Sequence, residues 1–227
     1  MRMSRALRAV WLVAGVALCA PGAVFAQSQT DGRIDVGGGL AWFGAVRYAP
    51  IDATETTPDS GHRALFKTRS KLGASAGLNA RVGVRLTSRF GVETSVALNP
   101  TRLTTRISHD VEGPDTIKVS ESVMQYLVEG GLIARLARWD DGRVTPFATV
   151  GAGYLRHVND GQTLVETGRS YYVGGGAEYQ LKSRGTGWVK SAGVRADIRG
   201  TFLKDGAGFD HERHLVPFVG AGLFLRF

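Results

Sequence analysis

Apolar and polar residues alternate one for one along most of this chain. The clearest run is Leu72, Ala74, Ala76, Leu78, Ala80, Val82, Val84 and Leu86, interleaved with Gly73, Ser75, Gly77, Asn79, Arg81, Gly83 and Arg85. A helix would scatter those apolar positions around its circumference, so the period of two predicts a strand. Fifteen residues is long for a soluble strand, which usually has about 5–6. A tilted strand crossing a bilayer needs about 9–11 residues and can project beyond it. The closing segment has the same character. Leu215, Pro217, Val219, Ala221, Leu223, Leu225 and Phe227 make one wholly apolar face, while His214, Val216, Phe218, Gly220, Gly222, Phe224 and Arg226 make a mixed one. Apolar toward lipid and mixed toward a lumen is the signature of a membrane barrel strand.

Eight such segments are predicted. The first carries Ile34, Val36, Gly38, Leu40 and Trp42 on its apolar face, and the second is the Leu72 to Leu86 run. The next four carry Phe90, Val92, Val96 and Leu98; then Met124, Tyr126, Val128, Leu132, Ala134 and Leu136; then Pro146, Ala148, Val150, Ala152 and Tyr154; then Tyr171, Val173, Ala177, Tyr179 and Leu181. Trp188, Ala192, Val194, Ala196 and Ile198 mark the seventh, before the closing strand. Connections alternate in length. Short ones fall at Thr87-Ser88-Arg89, around Trp139 to Arg143, and around Lys182 to Gly187; long polar loops are expected over Tyr48 to Ser70, Thr101 to Thr116, His157 to Gly168 and Thr201 to Arg213. Short turns on one rim and long loops on the other, with an even strand count, predict an all-β fold: an eight-stranded antiparallel up-and-down transmembrane β-barrel.

Aromatic residues fall near strand ends, as interfacial girdles require. Trp42, Phe43, Tyr48, Tyr154, Tyr171 and Tyr172 lie toward the long-loop rim; Phe90, Trp139, Phe147, Tyr179, Trp188, Phe224 and Phe227 lie toward the other. Many of the 31 glycines sit inside strands, as in Gly37-Gly38-Gly39 and Gly174-Gly175-Gly176. No helix pattern follows them, so a phosphate loop is not indicated. In a narrow barrel such glycines make room for larger lumen residues.

The N-terminus agrees. Arg2, Arg5 and Arg8 precede a short apolar run from Val10 to Ala20, and Val24-Phe25-Ala26 offers a small-residue cleavage site. This predicts a cleaved signal peptide over residues 1–26 and a single mature domain over 27–227. The apolar run is shorter than the roughly 20 residues of a spanning helix. Cys19 is the only cysteine and leaves with the leader, and the bulky Leu18 before it argues against lipoprotein processing. The mature chain then has neither disulfides nor thiolate chemistry. Losing the three leader arginines lowers the net charge from +8 to +5. An exported basic chain points to anionic lipopolysaccharide rather than to nucleic acid, or to ordinary solubilising charge.

With apolar faces outward, Asp35, Arg81, Arg85, Glu93, Glu129, Arg135, Glu178, Arg195, Asp197, Arg199 and Arg226 fall on lumen faces. An eight-stranded barrel is filled by its side chains, and buried charges must be paired. The expected role is an interlocked charge network that plugs the lumen, with Glu129, Glu178, Arg81 and Arg195 as a central set. A gated ion path or a catalytic carboxylate pair is the competing reading. The five histidines His62, His109, His157, His211 and His214 fall in or beside the expected long loops, with acids nearby. Their spacing makes no metal motif, and no metal or other cofactor is expected. A lipid A deacylase needs a serine, a histidine and an acid in contact at the bilayer edge. The adjacent pair Ser108-His109 would splay apart on a strand, so no catalytic residues are assigned and the chain is read as non-enzymatic.

Three segments, Arg89-Phe90-Gly91-Val92-Glu93, Pro146 to Tyr154, and Pro217 to Phe227, resemble the small eight-stranded outer-membrane barrels of Gram-negative bacteria. That group includes the OmpA transmembrane domain, OmpX/Ail-type proteins and the general outer-membrane beta-barrel domain family. The resemblance covers the mature chain and, for OmpA, concerns the barrel alone. It implies outer-membrane residence. It also implies that Leu223, Leu225 and Phe227 form the signal read by the barrel-assembly machinery. The expected partners are outer-membrane lipids and lipopolysaccharide, that machinery during insertion, and a host or surface ligand taken by the loops, but no nucleic acid. The expected role is surface interaction and envelope integrity; a narrow pore or small-molecule transport barrel is the alternative, and a lipid A-modifying enzyme is less favoured.

Overall fold

The computed structural model describes residues 32–57, 61–108, 116–139, 143–159, 164–183, 188–204 and 214–227. The leader assigned to residues 1–26 lies outside them. Eleven strands follow in chain order: β1 (Ile34–Phe43), β2 (Val46–Arg47), β3 (Ile51–Thr57), β4 (Gly61–Leu72), β5 (Ser75–Arg85), β6 (Phe90–Ser108), β7 (Thr116–Arg135), β8 (Val144–Asn159), β9 (Leu164–Ser183), β10 (Ser191–Lys204) and β11 (His214–Arg226). β1 to β3 are successive parts of one barrel strand, and β4 with β5 forms the next. The eleven therefore make eight staves, each antiparallel to its neighbours. The last stave returns to the first, in register from Asp35 opposite Arg226 to Phe43 opposite Phe218. Ile34 and Phe227 exchange backbone hydrogen bonds at that seam. Along β1 closure leaves no unpaired sheet edge, the condition a sheet must meet in hydrocarbon; among the described residues, β2 and β3 pair only β4.

The alternation sorts the side chains by face. Val36, Leu40, Val82, Val96, Leu132, Val150, Val173, Ile198 and Leu223 all point outward as an apolar band. Trp42, Tyr126, Tyr154, Tyr171 and Phe202 face outward toward one end of the band, and Phe90, Trp139 and Trp188 toward the other. Five expected girdle aromatics instead face inward: Phe43, Tyr48, Phe147, Tyr172 and Phe224 are at most 6% exposed. They sit on the lumen parity of their strands, and position along a strand alone does not reveal that.

Two further expectations are corrected. Three of the four segments read as long polar loops are mostly strand. β3 and β4 form a hairpin, and β6, β7, β8 and β9 run well past the apolar band. Sequences such as Thr101 to Ser108 are polar yet rich in β-favouring threonine and isoleucine, so the ladder continues into water. Within the expected loops, residues 58–60, 109–115, 160–163 and 205–213 lie outside the described residues. The second correction concerns the Leu72 to Leu86 strand, which is broken at Gly73-Ala74. Leu72 there faces the interior at 4% exposure. A matching break at Gly44-Ala45 separates β1 from β2. Pairing resumes across both, from Phe43 opposite Ser75 to Val46 opposite Leu72. Relative to the unbroken β6, the register of β4 is offset by one residue from that of β5. A bulge of this kind exchanges the inner and outer faces beyond it.

The outward assignment makes a direct prediction. Val82→Arg, near the middle of the band, should lower stability by about 2–4 kcal/mol, while Ser122→Arg, outward but beyond the Tyr126 girdle, should cost only about 0–1 kcal/mol. Denaturant titration of the protein refolded into vesicles measures both, and equal costs would contradict the depth assigned to them.

Candidate functional site: the lumen

Alternate residues of every stave project into a space that an eight-stranded circumference makes just wide enough for side chains. Each sequence-assigned charge lies there. Arg81, Glu93, Glu129, Arg135, Glu178, Arg195, Asp197, Arg199 and Arg226 are buried, and the side chains of Asp35 and Arg85 are about nine-tenths buried. Six arginines thus face five carboxylates, contributed by seven of the eight staves. The eighth, β8, supplies the Phe147 ring, over which the Arg195 guanidinium lies at 4.2 Å.

The charges form two connected groups. Toward the short-turn rim, Asp35 on β1 accepts from Arg226 at 2.5 Å, from Arg135 at 2.7 Å and from Arg85 at 3.4 Å. Glu178 on β9 accepts from Arg226 at 2.8 Å and lies within 3.9 Å of Arg135, Arg85 and Arg195. Arg195 joins this group to the second. It holds Glu93 of β6 through both terminal nitrogens, at 2.5 and 3.0 Å, across the barrel. Arg199 donates to Asp197 at 2.6 Å and to Glu129 at 3.1 Å, and Ser170 donates to the other Glu129 oxygen at 3.4 Å. The Arg199 guanidinium is also held between two rings, Tyr172 at 4.9 Å and Phe218 at 4.8 Å. Forked guanidinium–carboxylate contacts of this kind are the strong ones in a site of low dielectric.

The centre is therefore Glu93, Arg195, Asp197, Arg199 and Glu129, which keeps Glu129 and Arg195 of the expected set but not Glu178 and Arg81. Arg81 is buried but lies within salt-bridge distance of none of the described carboxylates, and its Nη2 has no hydrogen-bond partner. It passes over Gly37, where an added Cβ would stand 2.8 Å from Arg81 Nε. Glycine at 131 and 151 has the same use, since a Cβ at either would meet the Tyr172 hydroxyl at 2.3 or 2.6 Å. The broad phenol thus lies across the lumen only because those two positions are bare.

A second layer lies beyond Arg199, toward the hairpin-extended rim. Ala41, Phe43, Val46, Tyr48, Leu72, Ala97, Leu127, Leu155, Leu203, Val216 and Phe218 form one buried apolar cluster inside the barrel. Phe43 meets Phe218 edge to face at 4.9 Å. The sequence reading missed this layer because it treated apolar character as an outward mark. The available signal was parity: Leu127, Leu155, Leu203 and Val216 fall on lumen positions toward the ends of their strands that meet the long connections.

The histidines do not gather. His157 is buried in the lumen at 1% exposure, and His214 packs its ring against Tyr48 at 5.4 Å. His109 and His211 lie outside the described residues, and the His62 side chain is likewise not described. No cluster of three metal-ligating residues occurs among the described residues. Ser108 donates to the Lys67 carbonyl, and its neighbour His109 is undescribed. Leu223 and Leu225 face outward, and Phe227 closes the seam with Ile34.

This geometry has recognisable relatives. The family described as outer membrane protein beta-barrel domain matches residues 11–214. The chain belongs to that family. Among solved structures, the barrel resembles OprG from Pseudomonas aeruginosa, at 12% identity over 89% of this chain and 99% of that one, with a TM-score of 0.52. It also resembles Neisserial surface protein A, at 13% identity over 86% of this chain and 97% of that one, with a TM-score of 0.53. At such identities the likeness concerns the fold. No curated protein sequence matches the chain. Membership of the outer-membrane barrel family places the protein in the outer membrane of a Gram-negative cell.

The ion-pair network makes the second prediction. Removing one member of a buried pair strands the other, so Glu93→Gln should cost about 3–5 kcal/mol. Glu93→Leu with Arg195→Leu should cost less than the two single changes added together, which a double-mutant cycle in micelles reads directly. Arg81→Met, which removes a buried cation with no described carboxylate beside it, should be neutral or stabilising.

Proposed function

We propose that this protein is a closed, non-enzymatic outer-membrane barrel. Its body contributes to envelope integrity, and its extended hairpin rim offers a surface for interaction outside the cell. The observation that carries this reading is the double filling of the lumen. A conducting path along the axis would have to pass Arg199, clamped between Tyr172 and Phe218 and bonded to Asp197 and Glu129. It would then have to cross the apolar cluster of Phe43, Leu127, Leu155 and Phe218. Moving a hydrated ion through an apolar layer of this kind is costly. Support for a non-enzymatic reading comes from the carboxylates. Asp35, Glu93, Glu129, Glu178 and Asp197 each have an arginine partner within the lumen, so their lone pairs are committed to structure. Where short turns face the periplasm and longer connections face outward, as in this family of barrels, the β3–β4 hairpin and the extensions of β6 to β9 stand on the cell surface.

Planar-bilayer recording tests this. The purified protein should give no stepwise conductance at salt concentrations where porins conduct, while retaining heat-modifiable migration in detergent gels. Reproducible unitary steps that change with Arg199→Ala would overturn the closed reading in favour of a narrow pore.

A further inference from the structure

One lumen charge is left over once the ion pairs are assigned. Among the described residues, six arginines face five carboxylates, and each carboxylate is engaged by an arginine other than Arg81. Arg81 is 7% exposed, and its Nη2 is buried without a hydrogen-bond partner. A guanidinium cannot shed its proton to escape burial. An uncompensated cation in surroundings of low dielectric is costly.

The deficit is local to Arg81. Its neighbours on the lumen face of β5 are Asn79 and Gly83. Across the ladder it lies opposite Gly37 of β1 and Ser95 of β6. None of the four is charged, and Asn79 and Ser95 are buried polar side chains. The strongest charged neighbour of Arg81 is a second cation, Arg195; Glu93 comes next, ahead of Asp197 and Glu178. Both Glu93 oxygens are already held by Arg195. Asp197 and Glu178 are committed to Arg199 and Arg226. Turning Arg81 toward any of these acids would crowd it against the arginine already there. A water molecule would accept from Nη2 but leave the charge in place, whereas an anion does both. The excess is a single charge, and an eight-stranded interior has little space beside its side chains. Both facts favour a small monovalent ion over phosphate or an organic acid.

We infer that the lumen holds one anion of the halide class on Arg81, flanked by Asn79 and Ser95. The ion balances the interior and separates Arg81 electrostatically from Arg195. The inference concerns the charge balance of the interior, so it does not depend on whether the barrel conducts.

The test follows unfolding of the full protein in neutral-detergent micelles, titrated with urea in sodium bromide or in sodium gluconate at equal ionic strength. Unfolding opens the lumen, so the ion equilibrates by whatever route it enters. Bromide bound to the folded barrel alone should lower the unfolding equilibrium constant about tenfold once it reaches ~10 times its Kd. Arg81→Met should lose that dependence, and in gluconate it should be at least as stable as the unaltered protein. Asn79→Asp supplies a covalent carboxylate on the same face as Arg81. It should also lose the bromide dependence, and in gluconate it should unfold less readily than the unaltered protein. Crystals grown in bromide should show an anomalous peak beside the Arg81 guanidinium that is absent from Arg81→Met. That comparison decides the matter alone if Asn79→Asp does not show heat-modifiable migration. Stability indifferent to bromide, or crystals without the peak, would overturn the inference. So would an equal response in Arg81→Met, which marks a general salt effect, or an undiminished one in Asn79→Asp. A peak at Arg81 with no change in stability would mark an adventitious ion only, and would overturn it too.

Discussion

Everything inside this barrel follows from the need to fill a lumen of eight staves with alternate side chains. A strand places every second residue inward, and eight strands enclose too little space for a water column beside those residues. Any charge on that parity is withdrawn from water and must find its partner across the barrel. Arg195 meets this demand by gripping Glu93 with two nitrogens while its plane rests on Phe147. Asp35 and Glu178 meet it by sharing the arginines of β5, β7 and β11. The Arg195–Glu93 and Arg135–Asp35 contacts and those of Glu178 with Arg85, Arg135 and Arg226 bridge staves that are not neighbours in the sheet, so they brace the cross-section in a direction that backbone hydrogen bonds do not.

The filling is graded along the axis. Arginine–carboxylate pairs occupy the part nearer the short turns, and an apolar cluster occupies the part nearer the hairpins. Arg199 is the junction, because its charge is spent on Asp197 and Glu129 while its faces lie against Tyr172 and Phe218, the latter a member of the apolar cluster. A guanidinium is suited to this position, being planar, weakly hydrated and able to stack while it donates in its own plane. The glycines at 131 and 151 complete the junction by giving Tyr172 room to reach across.

Much of this was legible in the chain, and the boundary has a physical cause. Period-two alternation identifies strands and their lipid face because hydrocarbon penalises polar side chains on every stave alike, so Leu78, Val96 and Ile198 announce their direction locally. The parity of Asp35, Glu93 and Arg199 follows from the same count. Their partners do not, because cross-barrel distances depend on tilt and stagger, which no single strand records. That is why Arg81 seemed a member of the central set and Glu93 did not. The hairpins beyond the band were read as loops because polar β-structure in water lacks the apolar mark on which the reading relied. The inner apolar layer was missed for a related reason: Leu127 and Phe218 carry the right composition on the opposite face.

The paired bulge links the inner apolar layer to the outer rim. Along β1 the inward positions are odd-numbered, and they become even-numbered after Gly44-Ala45; the same exchange occurs across Gly73-Ala74. Without it, Arg47, Arg69 and Lys71 would enter the lumen at the level of the apolar cluster, and Val46, Tyr48 and Leu72 would face out. Three more cations inside would have no carboxylates to meet, since the lumen already holds one arginine more than its acids. With the exchange, Val46, Tyr48 and Leu72 complete the apolar layer, and the three cations join the outer rim beside Arg102, Arg106 and Lys118. One inserted residue per strand therefore serves both sides of the wall. The bulge also works only because it is matched: two residues are left unpaired on each strand, so the hairpin beyond resumes the same register and the barrel wall stays hydrogen-bonded on both sides of the break.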